Sequence, residues 1–364
     1  MLLALFQCIF VTGAGACLYK TVRHFADQKI AWIAYGFYFI LGGVSAWIMI
    51  PYSDSTGVIF PVFLFWLYVK LKETESAKKK CVLLFLMFFL CYIGFEIKPM
   101  AAIVMIAVAA VEGIHFIGKL LKKQIVWKKS VLACCLSAVL GIGAAAGGVS
   151  AVVDSLHFPV VTDTVLGWQH HMMLGLNKDT NGGYSQADFD YSTSFSSAEE
   201  QHAAELKEIG KRLKDFGVGG YLQHFVKKSA RNYFDGCFGW GGLGETFYTE
   251  IFPERGTVLC SLIRSLYYDN TEDTLYRYQA LFRQILWYMV LILVPFSVFT
   301  KRPLDKKRQV AVLSVLGLML YLQIFEAHAR YLYTFVPIFV FLATEGIDNL
   351  REYLNQKSER RVKK

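Results

Sequence analysis

An all-α, polytopic helical membrane protein is the fold class this sequence predicts, and three observations predict it. Hydrophobic residues make up 55% of the chain and mean hydropathy is +0.38, more apolar than a soluble domain of 364 residues. Charge-free windows of about 20 residues, the length that crosses hydrocarbon as a helix, recur along it. The formal net charge of +9 is gathered in short Lys/Arg stretches between the apolar runs. That placement is the positive-inside pattern, so the partner implied is a lipid bilayer and not nucleic acid.

About nine spans follow, near 1–19, 30–51, 57–69, 81–95, 99–117, 130–153, 281–300, 309–325 and 331–347. The runs at 57–69 and 81–95 are short, which predicts little tilt or partial re-entry. The basic stretches Lys20/Arg23/Lys29, Lys70–Lys80, Lys119–Lys129, Lys301–Arg308 and the tail after Arg351 then share one side, the cytoplasm. Four regions result: a transmembrane region over 1–153, an extracytoplasmic segment over 154–280, a second transmembrane region over 281–348, and a basic cytoplasmic tail over 349–364. The expected location is a bacterial plasma membrane, crossed many times. In this arrangement the first span runs from outside to inside. A reverse-oriented anchor or a missing upstream span would account for that.

The 154–280 segment is rich in aromatic residues and reads as folded and mainly helical. Ser196 or Ser197 can cap a helix, with Glu199 or Glu200 completing a capping box. Leu206, Ile209, Leu213 and Phe216 recur at helical spacing, and Gly217 is a natural stop. A second helix over 219–234 offers Lys227, Lys228 and Arg231 to lipid headgroups or to solvent. "GWGGLG", Gly239–Gly244, matches a dinucleotide pattern but lacks a βαβ setting, and reads as a loop. Adjacent His170 and His171 diverge by about 100° on a helix, which favours structural or substrate contacts over a shared metal. Cys237 and Cys260 are either a disulfide or two free thiols; the other six cysteines lie in or beside apolar runs.

Three short outer turns carry the chemistry: Asp54, then Glu96 with Lys98, then Glu326, His328 and Arg330. Lys98 and Arg330 are suited to a phosphate, Arg330 bidentately. Asp54 can act as a base or hold a divalent cation. Against this stand solvated turn residues, Lys98-Pro99 as helix punctuation, and a Glu326–Arg330 i,i+4 ion pair.

"IPYSDSTGVIFPVFLFWL", "EIKPMAAIVMIAV" and "EAHARYLYTFVPIFVFLA" together resemble the GT-C class of membrane glycosyltransferases. The likeness is to bacterial relatives of the protein O-mannosyltransferases and aminoarabinose transferases. "GWQHHMMLGLNKDTNGGYSQADFDYS" is similar to an outer-loop stretch of Gram-positive integral membrane proteins. The resemblance implies transfer of a sugar from a polyprenyl-phosphate donor to an envelope glycan, lipid or protein at the outer face. It implies donor contacts at Lys98, Arg330, Tyr331 and His328, with Asp54 as the remaining catalytic acid. His170, His171 and Asp188 become acceptor or outer-loop contacts. No metal ligand is assigned, although a divalent cofactor is compatible with the class. The class places its main acid in a first outer loop, and the first span here resembles its second. The alternatives are a transporter or flippase, and a non-catalytic, truncated assembly protein.

Overall fold

The computed structural model describes residues 2–124, 129–157, 166–242, 257–268, 275–299 and 304–362, with no side-chain description at 129–130 and 356–362. Among these, every regular element is helical. In chain order they are α1 (Leu2–Phe25), α2 (Gln28–Tyr38), α3 (Ser53–Gly57), α4 (Ile59–Glu73), α5 (Ala77–Ile97), α6 (Ile103–Leu121) and α7 (Lys129–Ser155). Then follow α8 (Trp168–Gly175), α9 (Gln186–Thr193), α10 (Ala198–Tyr233), α11 (Val258–Tyr267), α12 (Leu275–Leu293), α13 (Lys306–Ile324) and α14 (Val336–Val362).

Eight stretches among the described residues are long and apolar enough to cross a bilayer. Two correct the expectation of short spans: Ser53–Glu73 and Ala77–Ile97 each reach 21 residues. The run at 30–51 is a ninth traversal of another kind. It consists of α2, a π turn at Phe39–Gly43 and a 3-10 turn at Ala46–Met49. It runs antiparallel to α1, because the Tyr38 hydroxyl donates to the Val11 carbonyl (2.8 Å) and the Gln7 amide donates to that of Ile50 (2.8 Å).

A broken helix in an apolar setting must find partners for the carbonyls it releases. Here Arg283 donates to Leu41 O (2.7 Å), Tyr333 to Gly42 O (2.8 Å) and Tyr267 to Val44 O (2.7 Å). Three distant elements therefore clamp the break.

The stretch Ala329–Asn355 is central, with 83% of its apolar window buried, and Val336–Ala343 is covered on every side. α5 and α7 form the periphery with 11% buried, as expected of helices that face lipid. The basic stretches meet at one end of the bundle. His24 lies 2.7 Å from Glu73, Lys72 and Lys306 lie 2.9 and 2.8 Å from Glu112, and Arg308 pairs with Glu345.

At the opposite end, α8 to α10 cap the bundle. Ser197 caps α10, accepting from the Glu200 N–H, and Gly217 (φ 56°) breaks the helix where the sequence places a stop. Lys228 departs from expectation. It is 0% exposed and donates to the carbonyls of Gly175 (2.8 Å) and Gln323 (2.9 Å), so it ties α8 to α13 instead of facing headgroups. Cys237 and Cys260 are free thiols.

Candidate functional site

The site is built by three chain breaks at the capped end of the bundle. After Ile50-Pro51 the chain re-enters as α3, which places Asp54 in the first turn. Pro99 disfavours helix at the preceding residue, so Lys98 is extended (φ −152°, ψ 103°) between α5 and a 3-10 turn. His328 is extended as well, and its ring accepts the Arg330 N–H (3.1 Å) at the start of the 3-10 turn Ala329–Phe335.

These breaks converge. Lys98 Nζ lies 2.7 Å from Asp54 Oδ1 and Arg330 Nε lies 3.0 Å from Asp54 Oδ2, while Asp54 is only 1% exposed. Aromatic faces complete the shell. The Lys98 ammonium sits 4.4 Å from the Tyr331 ring centre, and the Arg330 guanidinium sits 4.3 Å from that of Tyr52 and 5.4 Å from that of Trp47. Such contacts contribute about 0.5–2 kcal/mol each. Asp54 Oδ1 and Arg330 Nε are close to their partners without aligned hydrogen-bond geometry, so charge holds the triad more than directed bonds do.

Glu326 does not pair with Arg330. It accepts from the Tyr331 hydroxyl (2.7 Å) and lies 3.6 Å from His171 Nδ1. The i,i+4 pair is lost because the chain between 325 and 329 is not helical, so the two side chains do not stack one turn apart. Burial works against ionisation of Glu326, but His171 and Tyr331 outweigh it and hold the carboxyl below its ordinary value. His328 is pushed down to about 4, by burial first and then by the Arg330 charge. Glu96 stays exposed beside Tyr92, outside the cluster.

The expected outer-loop contacts divide. His171 is half-exposed and reaches Glu326. His170 is buried instead, bonded to the Ser192 hydroxyl (2.7 Å) and 3.9 Å from the buried Glu205. Asp188 is buried too, gripped bidentately by Arg212 (2.7 and 2.9 Å) and by Asn177 (2.9 Å). Both hold α8, α9 and α10 together, and a buried carboxylate already accepting from Arg212 and Asn177 is shielded from a substrate.

Several residues escaped sequence reasoning. Gly57 faces Lys98: a Cβ there would come within 3.3 Å of the Lys98 Cβ. Gly239 (φ 80°), the first glycine of "GWGGLG", packs on His328, where a Cβ would fall 2.7 Å from the ring. The described part of that motif, 239–242, is thus a shelf beneath the site; 243 and 244 lie outside the described residues. Trp47 and Tyr52 wall the triad, and the aromatic-rich sequence around "IPYS" was the signal for them.

The described fold and this interior cluster define the class: a polytopic α-helical integral membrane protein. More particularly, the chain belongs to the family described as conserved hypothetical integral membrane protein, which matches residues 1–349. No curated protein and no solved structure matches it significantly.

Proposed function

We propose that this protein binds a polyprenyl-phosphate-linked sugar at the Asp54 end of the bundle and transfers the sugar to a hydroxyl-bearing envelope acceptor. The observation that carries this reading is that Lys98 and Arg330, from different turns, meet at one buried acid instead of facing lipid separately. Two cations against one carboxylate leave the triad one positive charge in excess, and this suits a phosphate monoanion held beside the hydrocarbon. In the step proposed, the bond from the sugar's anomeric carbon to the phosphate oxygen breaks. A new bond to the acceptor oxygen forms, and the acceptor proton passes to a carboxylate. Asp54, released as phosphate engages Arg330, is the nearest such group. Polyprenyl phosphate leaves. Asp54 already has two cations at 2.7 and 3.0 Å, which makes it a poor ligand for a divalent metal, and no metal step is part of the proposal. The positive-inside pattern would turn this end to the outside of a bacterial plasma membrane.

The test titrates wild type, Lys98→Ala and Arg330→Ala in nanodiscs with undecaprenyl phosphate, counting bound lipid by native mass spectrometry. Weaker retention in both variants is expected, and equal retention in all three refutes the site. In membranes supplied with labelled polyprenyl-phosphate sugars, Asp54→Asn and Lys98→Ala are expected to abolish transfer while the protein is still made.

A second reading, a transporter or flippase, is favoured by the break at Phe39–Gly43, since discontinuous helices build transporter sites. Against it, the three carbonyls near the break are already bonded by Arg283, Tyr333 and Tyr267. Lipid or solute movement in proteoliposomes without transfer would support it. Lipid binding with neither activity would indicate an assembly protein.

A further inference from the structure

The kink at Gly217 shapes a second concave site, away from Asp54. The two halves of α10 form the arms of a V, and the loop 176–181 closes its third side. The open cavity has a volume of about 330 Å³, within the range of small-ligand sites, about 300–1,000 Å³. Its inner wall is rigid. Arg212 is fixed by Asp188, Glu208 and the Met173 carbonyl, and Asn177 by Asp188. Its rim is not committed in this way. Among the described residues, the exposed side chains of Lys178, Asp215, Gln223 and Lys227 make no internal ion pair or hydrogen bond. Between wall and rim stands Phe216, half-buried and braced by the His224 ring at 4.7 Å.

The lining charges balance: Lys178, Arg212 and Lys227 against Asp179, Glu208 and Asp215. A polyanion gains nothing from such a surface, and a lipid tail finds few apolar partners beyond Leu176 and Phe216. What the surface offers is an array of polar groups of both hydrogen-bonding senses around one aromatic face. Amide, carboxylate and ammonium groups donate to or accept from neighbouring hydroxyls, and a ring face accepts the C–H side of a sugar. We propose that this cavity is a binding site for a neutral carbohydrate.

Hydrogen bonds link its wall to the end of α13. His224 lines the cavity and bonds Gly175 O (3.0 Å), the carbonyl that Lys228 also holds while reaching Gln323 O, three residues before Glu326. These bonds tie the cavity's wall to the chain leading to Glu326, and a glycan seated here would serve as the acceptor of the proposed transfer. That last role rests on the proposed transfer, whereas binding in the cavity does not.

The experiment is saturation-transfer NMR on the full chain in nanodiscs, with chitobiose and maltotriose as probes and inorganic phosphate as the charged control. Wild type and Lys98→Ala should give equal saccharide signals. Asp215→Asn combined with Gln223→Ala should weaken binding about tenfold, the scale of losing one or two hydrogen bonds. These two positions are exposed and unpaired, so the double variant should fold as wild type does, which its unfolding temperature checks. Absence of saccharide signal in the wild type, undiminished binding in the double variant, or displacement of saccharide by phosphate would each overturn the proposal. Loss of lipid retention in Lys98→Ala with saccharide binding intact would separate this site from the donor site.

Discussion

Replacing Asp54 by asparagine isolates the electrostatics of the buried triad. At 2.7 and 3.0 Å and an effective dielectric constant of about 20, each ion pair contributes about 6 kcal/mol of Coulomb energy. Desolvation of each buried ion takes back several kcal/mol, so the net cost of removing the shared partner is about 3–5 kcal/mol. Asp54→Asn also leaves two cations facing each other around a neutral amide. Lys98→Met, by contrast, leaves one acid with one guanidinium, a balanced pair, and forfeits one cation–π contact. The order predicted is therefore Asp54→Asn well below Lys98→Met, with unfolding in detergent some 5–10 °C earlier for the former. The double variant should recover part of that loss, because it removes one of the unopposed cations. Differential scanning fluorimetry through the endogenous tryptophans reads this directly, since Trp47 lies against Arg330. The electrostatic account is refuted if Lys98→Met is as damaging as Asp54→Asn, or if the double variant shows additive losses.

Three further outcomes follow from the same geometry. Gly239→Ala sets a Cβ against the His328 ring at a positive φ, and should lower stability by about 1–3 kcal/mol and weaken retention of undecaprenyl phosphate; unchanged retention would show that the His328 position is immaterial. His328 is held at about 4 in the fold against an ordinary 6.5. Its depressed value favours the neutral folded form, so stability is full above pH 6.5 and falls as pH drops from 6.5 towards 4, by about 3 kcal/mol in all. His328→Asn keeps a side-chain acceptor for the Arg330 N–H and should flatten this dependence in unfolding curves taken at successive pH values. Finally, Arg283→Leu strips Leu41 O of its side-chain donor within the broken traversal and should cost about 1–3 kcal/mol, whereas a near-neutral result would mean the break is otherwise satisfied.

Hydrophobic run length and charge placement are local properties, so the sequence alone determined the all-α membrane architecture, the shared face of the basic stretches, the cap at Ser197 and the stop at Gly217. It also named Asp54, Lys98 and Arg330 together, because every second turn between spans returns to the same face whatever the packing. Tertiary structure decided what those residues do. A turn residue is exposed or buried according to what packs over it, and the meeting of three turns beneath Trp47, Tyr52 and Tyr331 turned expected surface charges into an interior triad. Packing of α8 to α10 withdrew Lys228, His170 and Asp188 from solvent. It also gave Gly57 and Gly239 their purpose, since the room a missing Cβ leaves matters only when a distant side chain comes to fill it. The broken traversal at 28–49 was legible as apolar but not as broken, because the groups that stabilise its free carbonyls lie more than 200 residues away in the chain. Burial, partner choice and the fate of a released carbonyl depend on which segments meet, and no single stretch of sequence contains that.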